Sequence, residues 1–188
     1  MKSLSTLLLL MPGLLAGQNV PRILGQNPPS MRLAPSVSTP ENVVDRMLHA
    51  ARLKPGETLY DLGSGDGRVL IAAAQKFGAR AVGIEISKAS VASSSKRIKE
   101  LKLDDKVRVI EGDLMAAELS GADVVTLYLL TKSNDMIRPL LEKQLKPGAR
   151  VISHDYAIPG WLPARVETVA ALRREHHLYV YEFPVQKK

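Results

Sequence analysis

The chain has 188 residues, 45% of them hydrophobic and 24% charged, which suits one core in one globular domain and excludes a wholly disordered or multiply membrane-spanning protein. Its 26 Lys and Arg against 19 Asp and Glu leave a formal charge of +7, compatible with an anionic partner. The absence of cysteine excludes disulfides, thiolate zinc sites, iron–sulfur clusters held by cysteine and a cysteine nucleophile.

The N-terminus, residues 1–18, carries Lys2 and then an apolar stretch from Leu4 to Ala16. As a helix this stretch would be about 20 Å long, short of the roughly 30 Å hydrocarbon core of a bilayer. Pro12 and Gly13 interrupt it, so it reads as a secretory-type signal or a shallow membrane anchor and not as a spanning helix. Residues 19–38, rich in Pro, Asn, Gln and Ser, read as a linker. The domain proper is expected over 39–188. Thr39 is expected to cap a helix with Pro40 in its first position, and Val43, Val44, Met47, Leu48 and Ala51 form its apolar stripe.

A regular alternation follows. The strand "TLYDL" leads to a helix from Gly67 to Phe77, and "AVGIEI" leads to a helix from Lys88 to about Leu101. "KVRVIEG" is a third strand and "ADVVTLYLL" a fourth. A helix over "NDMIRPLLEKQL" precedes the strand "ARVISHD", and "ETVAALR" with "HHLYVYEFPV" reads as a closing hairpin. Alternating strands and helices imply a parallel sheet covered on both faces, here with an antiparallel hairpin at one edge. The densest basic run, Lys96, Arg97, Lys99, Lys102, Lys106 and Arg108, is broken by Glu100, Asp104 and Asp105 and reads as a solvated face.

The segment "DLGSGDGR", Asp61 to Arg68, sits between a strand and a helix, where open parallel sheets bind ligands. A phosphate loop would need Lys and Ser or Thr after its last glycine, and neither is present. The dinucleotide fingerprint would place a third glycine where Arg68 stands. Asp61 would also oppose a pyrophosphate, whereas a cationic or hydrogen-bond-donating ligand suits it. Glu85 ends the second strand, where an acid commonly takes ribose hydroxyls, and Asp113 ends the third. Three acids at three consecutive strand ends, beside a glycine loop, describe a pocket for an adenosine without phosphates. Taken singly, each acid could merely cap the next helix.

These residues, "DLGSGDGR" with "VGIEIS" and "EGDL", resemble the class I S-adenosylmethionine-dependent methyltransferases, which implies a Rossmann-like, seven-stranded, mostly parallel α/β sheet. The resemblance covers about Thr39 to Pro184. It implies S-adenosylmethionine as cofactor, held by Tyr60, Asp61, Gly63, Ser64, Gly65, Asp66, Gly67, Arg68, Glu85, Ile86, Asp113 and Leu114. "STPENVVDRML", "VVTLYLL" and "KPGARVISHDYAIPGW" are similar to bacterial relatives of the mitochondrial protein-lysine methyltransferases of the FAM173 type, which implies a lysine acceptor and a protein partner. A small-molecule O- or N-methyltransferase, or a cofactor-binding protein without transfer activity, are the alternatives.

The fourth strand ends without the Asn- or Asp-Pro-Pro-aromatic tetrapeptide of amino-group DNA methyltransferases, so base-directed nucleic-acid methylation is not expected. Tyr128, His154 and Asp155 are the candidate catalytic residues, His154 as a general base with an ordinary pKa near neutrality. Thr39, Pro40 and Trp161 are candidates for the substrate side, although packing in the core is the plainer reading of Trp161. His176 and His177 read as surface residues and not as metal ligands. Since S-adenosylmethionine is a cytosolic metabolite, the expected location is membrane-associated with the catalytic domain on the cytoplasmic side, export being the alternative.

Overall fold

The computed structural model describes residues 37–188; the signal-like segment, and all of the linker before Val37, lie outside the described residues. The elements run α1 (Glu41–Ala50), β1 (Thr58–Leu62), α2 (Arg68–Phe77), β2 (Arg80–Glu85), α3 (Lys88–Glu100), β3 (Val107–Glu111), β4 (Val124–Leu127), α4 (Thr131–Gln144), β5 (Arg150–His154), β6 (Trp161–Leu162), β7 (Arg165–Ala171), β8 (Arg174–Glu182) and β9 (Gln186–Lys187). Seven strands form one sheet in the order β3-β2-β1-β4-β5-β8-β7. The first five are mutually parallel, and β8 pairs antiparallel with both β5 and β7. The expected Rossmann-like sheet with its antiparallel edge hairpin is the one found. No helix among the described residues is long and apolar enough to cross a membrane.

Period-two alternation divides the core into two layers. Leu59, Val124 and Ile152 face α1 and α2. Leu62, Val125, Leu127 and Val151 face the opposite way, onto Ile137 and Leu141 of α4. Half of the basic run, Lys96, Arg97 and Lys99, lies exposed on the outer face of α3, and the rest continues into the connection and β3, as its interspersed acids imply.

Three local expectations are corrected. Thr39 does not cap α1: Pro40 holds the cap position with no side-chain cap bond, because the Thr39 hydroxyl turns toward His154 instead. β4 stops at Leu127, so Tyr128 leaves the sheet in the connection to α4. β3 stops at Glu111, which places Asp113 in the turn beyond it. The chain also forms a small second sheet from β6 and β9.

Gly83 in β2 makes room for the loop that follows β1. A Cβ built there would stand 2.4 Å from Ser64 Oγ and 2.6 Å from Leu70 Cδ1, distances no real side chain tolerates. Gly83→Ala is therefore expected to cost about 1–3 kcal/mol by overpacking, seen as a lower midpoint of thermal unfolding. An unchanged midpoint would show that the loop is not braced on this strand.

Candidate functional site

β1 is the strand from which the chain departs first to β2 and β3 on one side and later to β4 and β5 on the other, which opens a crevice beyond the carboxyl ends of the strands. A cleft of about 400 Å³ occupies that place, within the usual range for small-molecule sites. Asp61, Gly63, Ser64, Gly65, Asp66, Arg68, Glu85, Ile86, Asp113 and Leu114 all line it, as do Thr39 and Tyr128. Residues from four strand ends, far apart in sequence, are thus brought to one wall. Tyr60 is not among them: alternation along β1 turns its side chain to the α4 layer of the core. Gly67 also lies outside the lining, serving as the N-cap of α2 with φ of +75°, a conformation glycine adopts without strain.

The acids are held differently from one another. Asp61 is 7% exposed, and its Oδ1 accepts a 2.7 Å bond from Thr126 Oγ1 across a register pair of β1 and β4. Burial raises its pKa to about 7, Thr126 opposes that rise, and nearby Glu85 and Asp66 add to it. Glu85 accepts from Gly65 N at 2.8 Å and from Ser87 N at 2.7 Å, so one carboxylate ties the glycine loop to the start of α3. Asp113 accepts from Met115 N at 2.9 Å and caps the turn Leu114–Ala116, which is the capping role any of these acids could have taken.

Arg68, the residue that departs from a dinucleotide fingerprint, straps the loop to the start of α1. Its guanidinium holds Asp66 through bonds of 2.6–3.1 Å and donates to Thr39 O at 2.7 Å. The guanidinium keeps Asp66 below the ordinary carboxylate range. The one arginine of the lining is therefore already neutralised, leaving a cleft with a surplus of carboxylates and no free cation among its described lining residues. Gly65 and Gly112 in the same lining face open space where a Cβ would stand, so backbone is accessible there. Acid walls, exposed backbone and the absence of a phosphate-binding charge fit an unphosphorylated adenosine bearing a cationic methionine.

The other end of the cleft is closed by Tyr128. Its hydroxyl donates to Asp155 Oδ2 at 3.1 Å and accepts from Arg174 Nη2 at 3.1 Å, while Arg174 also reaches Asp155 Oδ2 at 2.7 Å. Burial raises the Tyr128 pKa, with the Asp155 hydrogen bond adding to it. His154 and Asp155 do not line the cleft. The His154 ring lies behind Tyr128, with centroids 3.9 Å apart, and is fully buried. Burial lowers its pKa to about 4 despite the opposing pull of Asp155, so it is neutral but shielded from any acceptor in the cleft. Pro40 is likewise outside the lining. Trp161 is 1% exposed, and its indole N–H donates to Glu142 at 2.8 Å. It packs edge-on against Tyr181 and Phe183, so it belongs to the core and does not wall the substrate side.

His176 corrects a further expectation. It is 2% exposed, because the alternation of β8 turns it inward, and its Nδ1 lies 2.8 Å from His154 Nε2. His177, its neighbour, is half-buried. Residue spacing could have suggested that one of the pair faces inward; only strand pairing shows which one.

Comparison with known proteins agrees with this geometry. A profile of the ANTKMT methyltransferase domain matches residues 61–165, more than half of the chain. A protein-lysine N-methyltransferase from Saccharolobus islandicus (strain REY15A) is 41% identical over 78% of this chain and 92% of that protein. The adenine nucleotide translocase lysine N-methyltransferase of Mus musculus is 30% identical over 70% of this chain; the match spans little more than half the length of that protein, 57%. A crystal structure described as an RNA methyltransferase from Salinibacter ruber, in complex with S-adenosyl-L-homocysteine, superposes with a TM-score of 0.75 at 45% identity. It covers 81% of this chain and 97% of that one.

The Arg68 strap makes a local prediction. Val43 and Val44 amides donate to Pro40 O, beside the carbonyl that Arg68 holds. Arg68→Ala is expected to speed hydrogen exchange at these two amides by about tenfold, with β1 amides unchanged. Unaltered exchange at both would show that Arg68 does not secure this end of α1.

Proposed function

Because the chain belongs to the ANTKMT methyltransferase domain family, we propose that this S-adenosylmethionine-dependent methyltransferase modifies the ε-amino group of a protein lysine. The observation that carries the proposal is the acid-walled cleft, built by Asp61, Glu85 and Asp113 and closed by Tyr128. The bound cofactor supplies an electrophilic sulfonium methyl group. Gly63, Gly65 and Asp61 would hold its methionine part, Glu85 its ribose hydroxyls and Asp113 its adenine. What the chain adds is alignment and desolvation. Tyr128 marks the acceptor end, its hydroxyl pinned by Asp155 and Arg174 so that its position is set before an acceptor enters. A cationic amine is drawn to this cleft by its carboxylates, and burial there favours the neutral form that can attack. The 41% identity to a protein-lysine N-methyltransferase over nearly all of that protein supports the acceptor.

A second reading takes RNA as acceptor. It is favoured by the 45% identity to the structure described as an RNA methyltransferase and by the net charge of +7. The acidic cleft favours a cationic side chain over a phosphate-bearing polymer.

Asp61 gives the cofactor proposal a pH signature. With a pKa near 7 in the free protein, Asp61 is largely protonated at pH 6, whereas a cationic ligand favours its carboxylate. Binding must then expel a proton below pH 7, so affinity falls by up to about tenfold per unit of pH on the acid side and levels off above 7. Calorimetry with S-adenosylmethionine from pH 6 to 8 is expected to show this rise toward alkaline pH, and Asp61→Asn to bind more weakly without the slope. Tighter binding at acid pH, or no dependence, would remove Asp61 from the cationic end.

The acceptor is tested separately. Incubation with radiolabelled S-adenosylmethionine and cell extract is expected to label protein, with mass spectrometry placing added methyl groups on lysine. Label confined to RNA would establish the second reading, and label confined to small molecules would reject both.

A further inference from the structure

Behind the acceptor wall lies a group of side chains in which two histidines have no part in the transfer reaction and Asp155 serves it only by holding Tyr128. His154 closes β5 and His176 enters β8 antiparallel to it, so the two imidazoles come from neighbouring strands. Asp155 follows His154 in a left-handed conformation with φ of +61°, which an aspartate tolerates better than most residues and which turns its carboxylate back onto both rings. Three donor atoms converge as a result. His154 Nε2 and His176 Nδ1 are 2.8 Å apart. Asp155 Oδ2 is 3.3 Å from the first and 3.5 Å from the second.

We propose that His154 Nε2, His176 Nδ1 and Asp155 Oδ2 form a binding site for a divalent transition-metal ion of the zinc or cobalt type. Two imidazole nitrogens and one carboxylate oxygen are the donor set such ions take, with water in a fourth place. Tetrahedral ligands at about 2.0–2.1 Å from zinc stand about 3.3–3.4 Å from one another, so the carboxylate oxygen already has the right spacing from both rings and the two nitrogens, 2.8 Å apart, must part by about half an ångström. Histidine ligands are usually fixed through their second nitrogen. His154 Nδ1 has such a partner, the Thr39 hydroxyl at 3.3 Å, while His176 Nε2 is buried without one.

The obstacle is Arg174, whose Nη2 already lies 2.7 Å from Asp155 Oδ2. Its side chain is half exposed and can leave for water, so ion and guanidinium compete for one oxygen. Occupancy would also withdraw the Arg174 contact from the Tyr128 hydroxyl, which couples the metal to the acceptor wall. Removing Arg174 should therefore strengthen metal binding, an effect that a purely structural histidine pair would not produce.

The chain is favourable for the experiment, since it has four histidines and no cysteine to bind metal elsewhere. Full-length protein stripped with a chelator is titrated with Co²⁺, followed by its visible absorption, and then with Zn²⁺ as competitor. The expected result is one Co²⁺ per chain, displaced by Zn²⁺. His176→Ala should weaken binding by more than the 10- to 100-fold that an outer-shell partner is worth. Arg174→Ala should bind more tightly than the wild type, and His177→Ala should match it. Should His176→Ala fail to fold by circular dichroism, Asp155→Asn takes its place with the same expected loss. No absorption band at millimolar Co²⁺, or a band that survives in the folded variant, overturns the site in favour of a hydrogen-bonded imidazole pair.

Discussion

The structure is organised around a carboxylate buried at the middle of its sheet. Asp61 lies near the end of the strand that has β2 on one side and β4 on the other, and the hydroxyl of Thr126 is its side-chain partner within the fold. An acid in that place cannot be offset by packing; it either keeps a proton or meets a cation. The loop after it must therefore turn sharply while leaving the carboxylate reachable. Glycines at positive φ make the turn, and Gly83 on the next strand lets Ser64 settle against the sheet. Glu85 and Asp113 reach the same cleft from the adjoining strands, so three carboxylates meet there.

The two ends of the cleft are joined by polar contacts. Asp66 holds Arg68, Arg68 holds the carbonyl of Thr39, and the Thr39 hydroxyl faces His154. His154 meets His176 and Asp155, and Asp155 with Arg174 secures Tyr128. The glycine loop and the Tyr128 wall thus share one scaffold, with the start of α1 as its bridge. Side chains outside the cleft thus position those that line it.

Much of the fold was legible in the chain because apolar periodicity reports burial directly. Strands of "TLYDL" and "AVGIEI" type, with helices between them, leave few topologies other than a parallel sheet. The boundaries were less legible. Nothing in "ADVVTLYLL" marks Leu127 as the end of β4, because Tyr128 to Leu130 are as apolar as the strand itself. Thr39 looked like a helix cap because it precedes Pro40, yet its hydroxyl turns to a partner 115 residues away.

The sequence alone determined the glycine-loop end of the cleft, because Asp61, Glu85, Asp113 and the loop after Asp61 lie at strand ends whose positions follow from the alternation. Tertiary structure decided the Tyr128 end. There His154, Asp155, His176, Arg174 and Tyr128 come from three segments, and their roles depend on which side chains the β5–β8 pairing brings within 3.5 Å. That pairing buried His154 behind Tyr128 and turned His176 inward. It also left Trp161 to the core, because contacts between distant strands, and not residue type, set exposure.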